Sequence, residues 1–157
     1  MSINIEQVKK YWFIPALAEI NMLSDDALSL MLRTFAVESD CGSFLVQLND
    51  GPAKNFMNIE EPTFEDIWFR YLRFKKELRN KIMLSCNILA PVIYEELTYN
   101  IKLCIQTARI KYAMNVAPLP NANDIHSQAM YWKRHYNTLS GAGKVEDFIE
   151  KAKLYKV

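Results

Sequence analysis

Apolar residues recur at steps of three and four along most of the chain, the spacing of one face of an α-helix. Ser24, whose hydroxyl suits a helix N-cap, precedes a stripe of Ala27, Leu28, Met31 and Phe35, which predicts a helix through Ser39. Thr63 with Asp66 three residues on, just after Pro62, approximates a capping box. The helix it predicts carries Ile67, Trp68, Tyr71 and Leu72. Glu95 to Asn115 is the longest periodic segment, with Leu97, Ile101, Cys104, Ile105, Ala108 and Tyr112 on one face, and predicts a central buried helix. Pro118 and Pro120 stop it in the loop 117–124. A helix through Tyr131 and Trp132 follows, and a last one begins near Val145 with Phe148, Ile149, Ala152 and Tyr155 inward. Only residues 43–51, Ser-Phe-Leu-Val-Gln-Leu-Asn-Asp-Gly, read as strand and turn, with Asn49-Asp50-Gly51 as the turn. The pattern predicts a mainly α fold with one small β-hairpin after the helix that ends at Ser39.

Composition narrows the function classes. The 157 residues fit one domain, 1–157, and 50% hydrophobic with 24% charged residues exclude disorder and a coiled coil. Nineteen basic against 18 acidic residues leave a net charge of +1, so no global field draws the chain to nucleic acid or to an anionic membrane. The longest apolar run, Tyr11 to Ala18, is broken by Pro15 and too short to span a bilayer, which predicts no membrane insertion. Met1 to Lys10 lacks the basic-then-apolar order of a signal peptide, so the expectation is a cytoplasmic product. Cys41, Cys86 and Cys104 form no CxxC pair and read as buried free thiols. His126 and His135 match no metal spacing, and Gly141-Ala142-Gly143-Lys144 lacks the flanking residues of a phosphate loop. Neither a metal nor a cofactor is implied. The aromatic and basic cluster 131–136 resolves by helical spacing: Trp132 and Tyr136 share one face while Lys133 and Arg134 turn to another.

Four glycines are confined to two stretches, 41–58 and 139–144, where the backbone leaves helical geometry. The first lies beside Glu38. This glutamate follows Phe35-Ala36-Val37 at a helix C-terminus, whose partial negative charge disfavours a carboxylate. An apolar surround disfavours it further, so both effects raise its pKa. A carboxyl held protonated near neutral pH is what protonates the leaving oxygen in glycoside cleavage.

Ala36-Val37-Glu38-Ser39, then Gly51-Pro52-Ala53, then Asn55-Phe56-Met57-Asn58-Ile59, then Thr63, resembles the soluble lytic transglycosylase and goose-type lysozyme pattern. That pattern runs as a helix ending in Glu-Ser, a Gly-Ala turn, Gly-Leu-Met-Gln-Ile and a Pro/Thr helix start. Tyr136-Asn137 before Gly141 and Gly143 resembles its later Tyr-Asn-x-Gly element. Two longer segments, Ile59 to Trp68 and Tyr131 to Thr138, resemble small lysozyme-like proteins of tailed phages. The resemblance covers 31–68 and 129–149, in the family's order.

The resemblance implies a lysozyme-like helical domain that cleaves the MurNAc–GlcNAc β-1,4 bond of bacterial peptidoglycan. Glu38 would be its acid, Ser39 the supporting serine, Met57 a residue lining the sugar cleft, and Tyr136 with Asn137 the pair facing the acid. Asn55 and Asn58 depart from the family's glycine and glutamine. Asparagine adopts left-handed φ nearly as readily as glycine, and Asn58 keeps an amide one methylene shorter. Asp40, Asp50, Glu60 and Glu61 are candidates for a second carboxylate, with Glu60 the best placed in the phage-like segment. Glu60 equally suits capping of the following helix. With a carboxylate to activate water the product is a reducing end; with a substrate hydroxyl attacking, as in the transglycosylases, it is a 1,6-anhydro sugar. Such a phage protein reaches the wall through a holin or inside a virion. The alternative is a catalytically inactive relative that keeps the fold as a virion or tail component among phage proteins.

Overall fold

The structure is a computed structural model and describes residues 3–47, 51–138 and 140–157. The chain opens with α1 (Ile5–Val8), a π-helical turn (Lys9–Phe13) and α2 (Ile14–Glu19). The first long helix, α3, spans Asp25–Ser39. Ser24 accepts the Ala27 N–H at 3.1 Å, and Asp25 and Asp26 face the positive end of the helix dipole, so this boundary falls where the sequence puts it.

α4 (Glu61–Glu65) begins two residues before Thr63, with Glu60 at the N-cap and Pro62 in the first turn. Thr63 is therefore inside the helix, and the expected capping box with Asp66 does not form. Pro62 tolerates this position because first-turn N–H groups have no helical partner to lose. The helix widens into a π turn (Asp66–Tyr71) and tightens to a 3₁₀ turn (Leu72–Phe74) before α5 (Lys76–Ser85).

The segment 95–115 is two helices rather than one: α6 (Glu96–Tyr99) and α7 (Ile101–Ala113). Asn100 adopts extended backbone between them, and its side chain accepts the Leu103 N–H at 3.1 Å. An N-cap of this kind restarts the helix without losing the apolar stripe, so periodicity alone reads straight through it. α7 remains the centre of the fold. Leu103, Cys104, Ile105, Gln106, Thr107 and Ala108 are all fully buried. Its two buried polar side chains are satisfied: Gln106 donates to Ala16 O at 2.9 Å, and Thr107 accepts from Trp68 Nε1 at 3.2 Å.

α8 (Ile125–Trp132) runs into a third π turn (Lys133–Asn137), and α9 (Val145–Tyr155) closes the chain. α9 buries Phe148 and Ala152 against α3 and α8. One continuous apolar cluster joins α2, α3, α4, α7, α8 and α9, with Phe35 wedged between Phe13 and Phe56 at centroid distances of 5.4 and 5.5 Å. Cys41, Cys86 and Cys104 are free and buried. Among the described residues no helix is long and apolar enough to cross a membrane.

The expected β-hairpin is not seen: there is no strand among the described residues. Residues 43–47 run as turn and bend, and the turn residues Asn49 and Asp50 lie outside the described residues. One backbone bond, Gln47 N–H to Ala53 O at 2.8 Å, stands where a ladder would be. Phe44, Leu45 and Val46 are all exposed, so no alternating face is buried to hold a strand in register.

Candidate active site

Glu38 lies on the stripe of α3 that carries Met31 and Thr34, at the helical steps of seven and four that put them one above another. Met31 and Thr34 are fully buried, and Thr34 is bonded to Tyr112 at 2.7 Å. One turn later the same stripe emerges at the floor of a cleft, so Glu38 meets the cleft rather than bulk solvent. The cleft has a volume of about 800 Å³ and runs between the C-terminal end of α3, the 58–63 segment, α7, residues 132–138 and 140–143, and α9. A second hollow of about 390 Å³ continues it past Val37, Glu38 and Asn58 toward Asp40, Phe44 and Val46.

Both oxygens of Glu38 are engaged. Trp132 Nε1–H donates to Oε1 at 2.7 Å, and Asn58 Nδ2–H donates to Oε2 at 3.0 Å. Burial pushes the Glu38 pKa above the usual glutamate value, and this outweighs the pull of the two N–H donors and of the Lys111 charge. The direction agrees with the expectation from sequence. The cause is chiefly removal of water, with two directed donors as a counterweight that spacing did not reveal.

The backbone turns sharply just beyond. Asp40, Cys41 and Gly42 are all left-handed, with φ of 53°, 53° and 76°. At Gly42 a Cβ would also come within 3.1 Å of the Phe35 ring. Ser39 closes this helix end: its hydroxyl accepts Gly42 N–H at 2.9 Å and donates to Phe35 O at 3.2 Å. Ser39 thus supports Glu38 through the backbone and is buried away from the cleft.

The 55–59 turn presents Asn58. Asn55 does not adopt left-handed φ; Asn58 does, at 54°. Asn55 is instead a buried clamp, donating to Ile59 O at 2.7 Å and accepting Ile59 N–H at 3.0 Å. Asn58, turned outward by its own φ, reaches Glu38 directly despite its shorter side chain.

Tyr136 is buried beside the cleft, and its hydroxyl donates to Met57 O at 2.7 Å. Met57 contributes that carbonyl, while its side chain is fully buried in the core and does not line the cleft. Asn137 lines the cleft and accepts from Lys133 Nζ at 2.8 Å. Lys133 also donates to Gly141 O at 2.7 Å, which ties the glycine loop to the π turn. At Gly143 a Cβ would lie 2.7 Å from the Trp132 ring, so glycine lets the loop press against the indole that holds Glu38. Trp132 also packs against Phe148, at a centroid distance of 5.4 Å.

Of the second-carboxylate candidates, Glu60 lines the cleft from an exposed position. Glu61 is exposed in the first turn of α4, and Asp50 lies outside the described residues. Asp40 borders the smaller hollow and is ion-paired to Lys151 at 2.5 Å; that contact holds its carboxyl below the usual range.

Two residues of the site escaped sequence reasoning. Trp132 falls in the phage-like segment 131–138 and on one helix face with Tyr136, and neither reading aims its indole at Glu38. Lys111 went unremarked, although a lysine three residues after Ala108 and seven after Cys104 sits on the apolar stripe of the most buried helix. Lys111 Nζ donates to Tyr136 O at 2.7 Å and stands 3.9 Å from the centre of the Tyr136 ring. Comparison of the chain with family models, with curated sequences and with solved structures finds no match.

Proposed function

We propose that the chain is a peptidoglycan glycosidase of the muramidase or lytic transglycosylase type, with Glu38 as its acid and then its base. One observation carries the reading: a carboxyl whose pKa is raised by burial stands at the floor of an open polar cleft of about 800 Å³, within the usual range for a ligand site. Glu38 gives its proton to the oxygen of the MurNAc–GlcNAc β-1,4 bond. The C1–O bond breaks, and its electron pair goes to that oxygen. The cationic sugar is then captured by water, giving a reducing end, or by its own C6 hydroxyl, giving a 1,6-anhydro ring. In the anhydro route Glu38, now a carboxylate, takes the proton released by the C6 hydroxyl; in the water route the proton goes to whichever carboxylate activates the water, Glu38 itself or a second one. Glu60 on the cleft wall is the candidate base for the water route. The partners implied are bacterial peptidoglycan and, for a phage protein, a holin that opens the route to the wall or the virion and tail proteins that carry it there.

The test is mass spectrometry of soluble fragments from purified peptidoglycan, with wild type beside Glu38→Gln. Anhydro or reducing-end fragments from wild type alone are expected. No fragments from either protein, across pH and wall types, would remove the reading. A second reading has one observation in its favour. Glu38 bridges α3 to α8 and to the 55–59 turn through bonds of 2.7 and 3.0 Å, which would also serve a purely structural carboxylate in an inactive virion or tail component. That reading requires Glu38→Gln to lose stability and wild type to cut nothing.

A further inference from the structure

We infer that Lys111 is the positioning residue for the Glu38 proton: its ammonium, held on Tyr136 in the same cleft, stabilises the carboxylate that Glu38 becomes once it has protonated the leaving oxygen. The inference rests on the glycosidase reading and adds to it a group that the family resemblance does not supply.

A lysine head group is ordinarily mobile on its four-carbon stem. This one is anchored. Its stem emerges from the fully buried part of α7, and its Nζ is held by Tyr136 O at 2.7 Å and by the Tyr136 ring at 3.9 Å. Tyr136 is itself fixed by its bond to Met57 O at 2.7 Å.

The ammonium lines the same cleft as Glu38 yet makes no ion pair within 4.0 Å among the described residues. The oxygens of Glu38 are taken by Trp132 and Asn58 instead. This separation matters. A contact ion pair would keep Glu38 ionised and unable to donate, whereas no cation at all would leave the resulting carboxylate without charge support. A cation at a distance interacts weakly with the neutral acid and strongly with the anion, so its stabilisation grows as the proton leaves.

The other charges around Glu38 do not duplicate this. Lys151 of α9 lines the cleft but is paired with Asp40 at 2.5 Å. Asp147 and Glu150 of α9 and Glu60 before α4 also line the cleft, but they are acidic side chains and supply no cation. Tyr112 and Tyr136 have phenol pKa values driven well up by burial and stay neutral. Burial lowers the Lys111 pKa, while Glu38 and Glu60 pull it back up.

The experiment follows the Glu38 carboxyl by ¹³C NMR titration in wild type, Lys111→Gln and Lys111→Arg, with Glu38→Gln to assign the signal. Glutamine keeps a donor for Tyr136 O and removes the charge. It should raise the Glu38 pKa by about one unit, within the effect of a nearby opposite charge. Arginine should leave the value near wild type. The alkaline limb of cleavage should move with the pKa, and kcat should fall about tenfold at unchanged KM, the equivalent of about 1.4 kcal/mol. The reciprocal measurement needs no Lys111 variant: the Lys111 amine should titrate lower in Glu38→Gln by the same amount, because coupling is mutual. If both titrations stay where wild type has them, Lys111 has no such role. Cleavage without coupling removes Lys111 alone, while coupling in a wild type that cuts nothing removes the glycosidase reading and this role with it.

Discussion

Replacing Glu38 by glutamine keeps the shape of the side chain and removes its ionisation, which makes the fold's stability a direct readout of the buried carboxyl. The glutamine oxygen can accept from Trp132, as Oε1 does at 2.7 Å. Its amide then faces Asn58, whose own amide can turn over and offer an oxygen. At pH values where Glu38 is protonated the two proteins carry nearly the same contacts, and their stabilities should agree within about 0.5 kcal/mol. They part as pH rises. The folded pKa of Glu38 is raised above the ordinary 4.5, so the folded protein holds this proton more tightly than the unfolded chain. The contribution is whole below the unfolded value and is lost as pH climbs through the folded value. Each unit of separation is worth about 1.4 kcal/mol, or roughly 3–6 °C in Tm for a chain of this size. Glutamine pays nothing of this kind. The difference in Tm, variant minus wild type, should therefore start near zero at acidic pH, climb through the folded pKa and level off above it, while peptidoglycan cleavage is abolished throughout. Calorimetry at a series of pH values supplies the curve. A flat or falling difference would mean that Trp132, Asn58 and Lys111 together hold Glu38 ionised, and the acid role would lose its physical basis.

Other substitutions test neighbouring parts of the argument. Trp132→Phe keeps an aromatic ring packed on Phe148 and deletes the N–H donor to Glu38. A bond to a charged acceptor is worth about 1.5–3 kcal/mol, so kcat should fall roughly tenfold to a hundredfold with the optimum displaced to higher pH; wild-type kcat would remove Trp132 from the site. Asn55→Ala strips both side-chain bonds from the buried Ile59 backbone and should cost about 2–3 kcal/mol by urea denaturation. A loss under about 1 kcal/mol would show that the turn is held by Tyr94, which also bonds Ile59 O, at 2.9 Å. Thr138 has φ 75° and ψ 153°, a region nearly reserved for glycine. Thr138→Gly should raise stability by about 1 kcal/mol, the relief of strain less the added freedom of the unfolded chain; a lower Tm would mean that the threonine side chain makes contacts worth more than the strain.

What was legible in the sequence was mostly what is local. Ser24 caps α3 through a bond spanning three residues, and Val145 starts α9 where the apolar spacing resumes. Glu38 was legible because its neighbours in the chain, Phe35 to Ser39, are also part of its environment. The errors have the same origin. The stretch 43–51 has β-favouring residues, but a strand is made by a partner, and Phe44, Leu45 and Val46 have none. Asn100 interrupts a helix without disturbing its apolar phase, so the two halves read as one. The π turns at 9–13, 66–71 and 133–137 shift which residues share a face, and no period of 3.6 anticipates them.

The site shows the limit most clearly, because its chemistry is assembled from contacts far apart in the chain. The donors to Glu38 come from positions 58 and 132, and the ammonium held on Tyr136 in the same cleft from position 111. Motif spacing brought in Asn58, since it belongs to the same resemblance as Glu38. It spans Trp132 in the phage-like segment 131–138 but could not aim the indole at the carboxyl, which the fold does with the Gly143 loop and Phe148 packed on the ring. Nor could it bring in Lys111, whose position follows from the packing of α7 against the π turn. The burial that raises the Glu38 pKa, and every group that tempers it except Asn58, are thus supplied by the fold rather than by the motif. On the proposed acid role, a chain that keeps the Glu-Ser signature but changes Trp132 or Lys111 should hold the Glu38 proton more tightly and give it up less readily. Activity in chains that bear this signature should therefore follow a donor to the first carboxyl oxygen and a cation in the same cleft more closely than the letters around the glutamate.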